Sequence, residues 1–425
     1  MFFIRRIRLF ILSNLILLFP VFAQADDGKI IMSYWQSSKA VSSLVYPVPG
    51  SFNASDKIVK NQNMRNKLND LNIISYTFFH VDKEGIVHIN NSAIDLSSSD
   101  HEFCKKNPKI CTDENNQYQP KLGNFSAFAK LQNKSDDLKK IISIGGGGDK
   151  KSFQYAVMHI HKFVNSVSVI INYYHLDGVD LDFEPDIFTS TISQQYAQLV
   201  TALREKLGKN LIITIDMEPD QQIKQSYWKI ISGNVNYISD MCYDFHSPYY
   251  FPHMTGYNSN LYSDPNEPMI KSYYHISCDQ SIHYLTFLGV PTQKIILGFP
   301  SYGLAYGGVS EKNNGLFQPY DPAKTPMFNE NIKPKGYVQY KTITRLLRSG
   351  FHEHMTFFND FPSAVWAYNK KTRQFIAYDN VKLVKEKARY VKQNHLAGLM
   401  TWAVNDDAPA SSHKSLLDAA KKYLR

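Results

Sequence analysis

The chain has 425 residues, 43% of them hydrophobic and 13% aromatic, with a formal net charge of +9. That is apolar material for one large core or two ordinary ones, and it excludes an intrinsically disordered chain. The basic residues are spread out, with no block of five or more Lys and Arg, so the positive balance reads as a solvated surface and no nucleic-acid partner is expected.

The N-terminal stretch "MFFIRRIRLF" carries Arg5, Arg6 and Arg8. An apolar run follows, then Ala23-Gln24-Ala25 before Asp26. A positive n-region, an h-region and an A-x-A site together read as a secretory signal peptide over residues 1–25, cleaved after Ala25. The alternative, a retained anchor, has an apolar run short for a span. Cleavage removes three arginines and leaves a charge of +6. No later segment has about 18 consecutive apolar residues, so the mature chain is expected in the periplasm or the medium, away from the membrane, and as a monomer.

Short apolar runs rich in β-branched and aromatic residues recur in chain order at 29–35, 72–81, 140–148, 178–185, 211–219, 237–245, 294–303 and 397–404. Gly, Pro, Asn or Asp bounds each of them, as strands require. Amphipathic stretches at 151–172 and 191–207 lie between. Strand alternating with helix implies a parallel sheet covered on both faces. Eight such strands predict an α/β fold of the (β/α)8 TIM barrel type, with polar and aromatic residues gathered at the C-terminal strand ends. A doubly wound sheet is the alternative, but no G-x-G-x-x-G opens a helix, and the "GGGG" at 145–148 lacks P-loop spacing. The stretch from 304 to 379 is too long for a structureless loop. It is expected as a small α+β subdomain inserted between strands seven and eight, so that 26–303 and 380–425 form the barrel.

Four cysteines are present. Cys104 and Cys111, in "EFCKKNPKICTD", could staple a loop in a secreted protein. Cys242, in an apolar run, is expected as a buried thiol, with Cys278 in different surroundings. No Cys/His spacing supports zinc, and no cofactor is expected.

The segment "HLDGVDLDFEPD" (175–186) raises the chemical question. In a strand, Asp180, Asp182 and Glu184 share one face while Val179, Leu181 and Phe183 share the other. In a barrel the acids point inward, about 6–7 Å apart along the strand. Three confined carboxylates cannot all ionise cheaply, so at least one holds a proton and can serve as a general acid. Two other readings stay open: acids facing solvent, and a divalent-metal site completed by Asp216, Glu218 and Asp244.

The sequence resembles family 18 of the glycoside hydrolases, the chitinases and their relatives. "DGVDLDFE" (177–184) matches the signature D-x-x-D-x-D-x-E. "SIGG" (143–146), "MCYD" (241–244), "GFPSYG" (298–303) and "GLMTWAVNDD" (398–407) match further motifs in order. The resemblance covers nearly the whole chain after the leader and includes the α+β insertion of the deep-groove chitinases. It implies retaining, substrate-assisted hydrolysis of β-1,4 bonds in chitin or chitooligosaccharides. Glu184 would be the acid/base, Asp182 would hold the acetamide, Asp180 would share a proton with Asp182, and Tyr243 would orient the acetyl group. Trp402 would floor the sugar, Met241 and Asp244 would line it, Tyr34 and Phe78 would flank the pocket, and Gly147, within 145–148, would allow close approach. Asp177 is kept as structural.

The chain departs from the family pattern in having Phe183 where tryptophan is frequent and Leu304 where arginine is usual. The fifth strand, "IDMEPD", has Asp216 and Glu218 where small or apolar residues are expected. Alternatives to a chitinase are an endo-N-acetylglucosaminidase acting on N-glycans or peptidoglycan and a non-catalytic chitin-binding lectin.

Overall fold

A computed structural model describes residues 28–36, 62–112, 118–132, 134–185, 188–219, 223–247, 253–268, 277–328, 335–410 and 412–425. The leader segment lies outside the described residues. Strands follow in chain order: β1 (Ile30–Gln36), β2 (Ile73–Val81), β3 (Val87–Ile89), β4 (Lys139–Gly145), β5 (Gly178–Asp182), β6 (Ile212–Met217), β7 (Tyr237–Asp240), β8 (Ile295–Pro300), β9 (Tyr302–Tyr306), β10 (Tyr337–Gln339), β11 (His352–Phe358), β12 (Phe361–Asn369), β13 (Gln374–Tyr378) and β14 (Gly398–Trp402). The main helices are α1 (Gln62–Leu68), α2 (Asn124–Ala129), α3 (Lys150–Met158), α4 (Ile160–Tyr174), α5 (Ser190–Leu207), α6 (Gln225–Asn234), α7 (Cys278–Phe287), α8 (Tyr340–Leu346), α9 (Val381–Gln393) and α10 (Leu416–Leu424).

Eight parallel strands close a ring in the order β1-β14-β8-β7-β6-β5-β4-β2, and β2 pairs back to β1. This is a (β/α)8 barrel with helices between the strands. All eight expected strands are present, but six end at least two residues early, β4 at Gly145, β8 at Pro300 and β14 at Trp402 among them. β5 stops at Asp182, β6 at Met217 and β7 at Asp240, because the chain leaves the ladder where the polar residues of the barrel mouth begin. The helix expected over 151–172 is two helices, α3 and α4, which meet at His159.

The alternation along β5 sorts its side chains. Val179, Leu181 and Phe183 are fully buried and point out into the helix layer. There the Phe183 ring centroid lies 5.7 Å from that of Phe153 on α3, 6.2 Å from Phe163 on α4 and 6.5 Å from Tyr196 on α5. Phe183, a departure from the family pattern, therefore faces away from the barrel interior. Burying a ring of this kind contributes roughly 1.5–3 kcal/mol, and it leaves the alternate residues no choice but to face the barrel axis.

A second sheet, antiparallel and ordered β10-β9-β13-β12-β11, grows directly from the end of β8. Val365, Ala367, Ile376 and Tyr378 on one face join the main core. Tyr302, Leu304, Tyr306, Trp366 and Phe375 on the other face form a separate aromatic cluster, against which Tyr243 and Trp402 of the barrel pack. Tyr337 and Gln339 of β10 each donate a hydrogen bond of 2.5 Å to Asp406, in the loop after β14, and so tie the second sheet to the barrel mouth. Among the described residues no helix is long and apolar enough to cross a membrane.

Cys104 and Cys111 are joined in a disulfide. Cys242, expected as a free thiol, is instead bonded to Cys278 at the start of α7, with their Cα atoms 5.3 Å apart. The apolar run around Cys242 does signal burial, but burial beside a second cysteine brought in by the fold allows a bond that sequence separation conceals. The residues are 36 apart, against 7 for the other pair. Loop-closure entropy therefore makes the longer link the more stabilising one, by a chain model about 4 kcal/mol. Replacing Cys242 and Cys278 together by Ser should lower the thermal midpoint more than replacing Cys104 and Cys111, as read by calorimetry under non-reducing conditions.

Candidate active site

Asp180 is fully buried on the inward face of β5, and its carboxylate accepts hydrogen bonds from Ser143 Oγ on β4 at 2.7 Å and from Thr214 Oγ1 on β6. Asp182, one step further along the same face, is also buried and is hydrogen-bonded to Glu184, which lies half-buried two residues past the strand end. Asp182 Oδ1 has no hydrogen-bond partner. Burial raises the pKa of all three acids. For Asp182 the negative charges of Glu184, Asp216 and Asp180 push further in the same direction. Asp177 stands apart, accepting from Lys140 N at 2.9 Å and Lys139 Nζ at 3.2 Å where β5 begins.

The other residues singled out in the sequence converge on the same mouth. Trp402, at the end of β14, stacks on Phe78 with ring centroids 5.4 Å apart and planes at 18°. It also meets Tyr34 of β1 at 5.3 Å. Met241 and Tyr243 pack in one cluster with Tyr34 and Trp402. The Tyr243 O–H meets the weak acceptor Met400 Sδ at 3.8 Å, and burial, with the surrounding carboxylates, holds its pKa well above the usual value. Asp244 accepts from Tyr302 Oη at 2.7 Å. Burial pushes its carboxyl up to about 6, against the hydrogen bond from Tyr302 that lowers it.

The glycines at the end of β4 are explained by close approach. A Cβ at Gly146 would come within 2.5 Å of the Phe78 ring, and the backbone there has φ +97°. Gly147 faces Glu184, whose Oε2 would lie 3.6 Å from a Cβ on that residue.

Sequence reasoning placed Asp216 only in the alternative metal-site reading and gave Tyr302 and Tyr337 no role. Asp216 is 1% exposed and takes the Tyr34 hydroxyl on both oxygens, at 2.6 and 2.7 Å. Tyr302 and Tyr337 stack at 4.6 Å and bring the second sheet against Asp244 and the loop after β14. A signal for Asp216 was present: Thr214, Asp216 and Glu218 repeat on β6 the alternation that marked Asp180, Asp182 and Glu184 on β5. Pairing of Asp180 with Thr214 sets the two rows side by side. Among the described residues no group of three or more His, Cys, Asp or Glu is arranged to hold a metal ion.

The sequence model of glycosyl hydrolases family 18 matches residues 31–407. With that match spanning the barrel and its carboxylate row, the chain belongs to glycosyl hydrolase family 18. It is similar to putative chitinase 1 of Margaritifera margaritifera, 25% identical over 300 residues that make up 67% of this chain and 60% of that protein. In three curated relatives the matched stretch is between 23% and 60% of their length. Among solved structures, the chitinase ChiA74 from Bacillus thuringiensis shares the fold, with a TM-score of 0.71 and 23% identity over 93% of this chain and 69% of that one. So does a group IV chitinase of Ostrinia furnacalis in complex with allosamidin, with a TM-score of 0.71 and 19% identity over 93% of this chain and 98% of that one.

Two outcomes are expected from this geometry. Gly146→Ala should cost roughly 1–3 kcal/mol in backbone strain alone and displace Phe78 from Trp402, seen as a lower unfolding midpoint together with altered tryptophan fluorescence. Tyr302→Phe removes a donor to Asp244, so the carboxyl should titrate above its present value of about 6. A raised folded pKa means stability is lost as pH rises from the unfolded value through the folded one. The deficit of Tyr302→Phe relative to wild type should therefore be larger near about pH 8 than near about pH 5, as measured by urea unfolding.

Proposed function

We propose that the protein is a chitinase that hydrolyses β-1,4 bonds between N-acetylglucosamine units with retention of configuration, using the substrate's own acetamide as nucleophile. The observation that carries this reading is the pairing of Asp182 with Glu184. Asp182 is engaged with Glu184, while its Oδ1 is buried and unsatisfied. A buried carboxyl oxygen without a donor is costly, and an acetamide N–H supplies that donor.

In this reading the sugar before the scissile bond lies on Trp402, whose ring presents a flat apolar face to the pyranose C–H groups. Tyr243 Oη donates to the acetyl oxygen and turns it toward the anomeric carbon. Met241 and Asp244 border the same ring, and Tyr34 and Phe78 hold Trp402 from behind. Glu184, whose pKa burial raises, gives its proton to the leaving glycosidic oxygen as the acetyl oxygen bonds to the anomeric carbon. Asp182 stabilises the cationic oxazolinium. Glu184, now an anion, takes a proton from the water that opens the ring, and the β-anomer is released. The aromatic face of the second sheet supports a groove for a linear chain. The N-terminal leader pattern, together with two disulfides, supports export to an oxidising compartment.

The test is hydrolysis of defined N-acetylglucosamine oligomers, with product anomers read by proton NMR. Wild type should release β-anomers, and Glu184→Gln should lose at least about 10³-fold in kcat, within the range general acid–base catalysis supplies. Binding without cleavage by both proteins would make the chain a lectin.

A further inference from the structure

The carboxylate that the family signature leaves unexplained is Asp216. It sits on β6, 1% exposed, inside the ring of strands. The titratable groups that act on it come from every side: Tyr34 of β1, Asp180 and Asp182 of β5, Tyr243 beyond β7 and Tyr196 of α5. Asp216 and Asp180 are hydrogen-bonded to each other. Two carboxyl groups can bond only if one of them carries a proton, so the question is which.

The donors decide it. Asp180 accepts from two hydroxyls besides, Ser143 Oγ on one oxygen and Thr214 Oγ1 on the other. Asp216 receives the Tyr34 hydroxyl on both oxygens and that of Ser239, and the Tyr34 hydroxyl reaches Asp180 as well, which makes three hydroxyls on Asp180 against two on Asp216. The carboxyl with more donors is the better home for the negative charge. On that count the shared proton lies with Asp216, which gives it to Asp180. Asp182 is then not needed as Asp180's proton partner, and it is hydrogen-bonded to Glu184.

Resting on the chitinase reading above, we infer that Asp216 is a positioning residue for the acid–base pair: as a neutral carboxyl it satisfies Asp180, and so leaves Asp182 turned toward Glu184. The sequence resemblance assigned the proton shared with Asp180 to Asp182; the arrangement of donors moves that role to β6. Burial and the charge of Asp180 both act to keep the proton on Asp216. Because the two groups are strongly coupled, the proton titrates as a property of the pair.

The experiment compares wild type, Asp216→Ala and Asp216→Asn on chitooligosaccharides across pH, with the unfolding midpoint of each protein followed over the same range. An asparagine amide can donate to Asp180 and accept from Tyr34, copying the neutral carboxyl. Asp216→Ala should lose at least about tenfold in kcat with KM little changed, and its kcat–pH profile should change shape as Asp182 turns back to Asp180. Asp216→Asn should recover most of that loss. Its unfolding midpoint should also gain on wild type as pH rises above about 4, because an aspartic acid kept neutral in the fold loses stability over that span and an amide does not. If the Asn variant is as impaired as the Ala variant, or if the midpoint difference is flat with pH, the inference is overturned while the chitinase reading stands. If wild type cleaves no oligomer, that reading fails. The midpoint difference alone then judges Asp216, a rise with pH upholding its protonation and a flat line refuting it.

Discussion

Everything at the mouth of this barrel depends on the cost of keeping carboxylates out of water and next to one another. Asp180, Asp182 and Asp216 are buried, and Glu184 is half-buried beside them. At roughly 5 Å between adjacent strands, several bare charges here would repel by several kcal/mol even at an effective dielectric of about 20. The chain lowers that cost with hydroxyls and with protons. Ser143, Thr214 and Tyr34 donate into the cluster. Burial raises the pKa of all four acids, which favours sharing protons over carrying bare charges.

The surroundings serve that cluster in two ways. The outward face of β5, filled by Val179, Leu181 and Phe183, locks the strand's rotation against three helices, so the acids cannot turn away from the axis. The second sheet closes one side. Its aromatic face packs on Tyr243 and Trp402, Tyr302 holds Asp244, and Tyr337 with Gln339 grips Asp406. Covering this side with aromatic rings strengthens the electrostatic interactions within the site.

Much of this was legible in the chain. The eight apolar runs, spaced by amphipathic stretches, are the eight barrel strands, because a parallel strand buried on both faces must be apolar and short. The acids of β5 were legible because a period of two within an apolar strand puts them on one face, which in a barrel is the interior. Residues whose partners lie far along the chain were harder to read. Cys242 looked like an isolated thiol because Cys278 approaches it only when α7 packs beside the end of β7. Phe183, a departure from the family pattern, was by contrast placed by the strand period on the face away from the acids, and it belongs to the helix layer. Asp216 looked like an oddity because its meaning depends on Tyr34, 182 residues away.

Local pattern therefore determined the fold class and the inward acidic row, since strand period and burial are properties of neighbours in sequence, while the other site residues came from the resemblance to family 18. Tertiary structure decided which acid shares a proton with which, which cysteines are joined and where each strand ends. Those outcomes depend on hydrogen-bond donors and packing partners brought from other strands, and closing the barrel is what places Tyr34 of the first strand and Asp216 of the fifth on opposite sides of the same hydrogen bond.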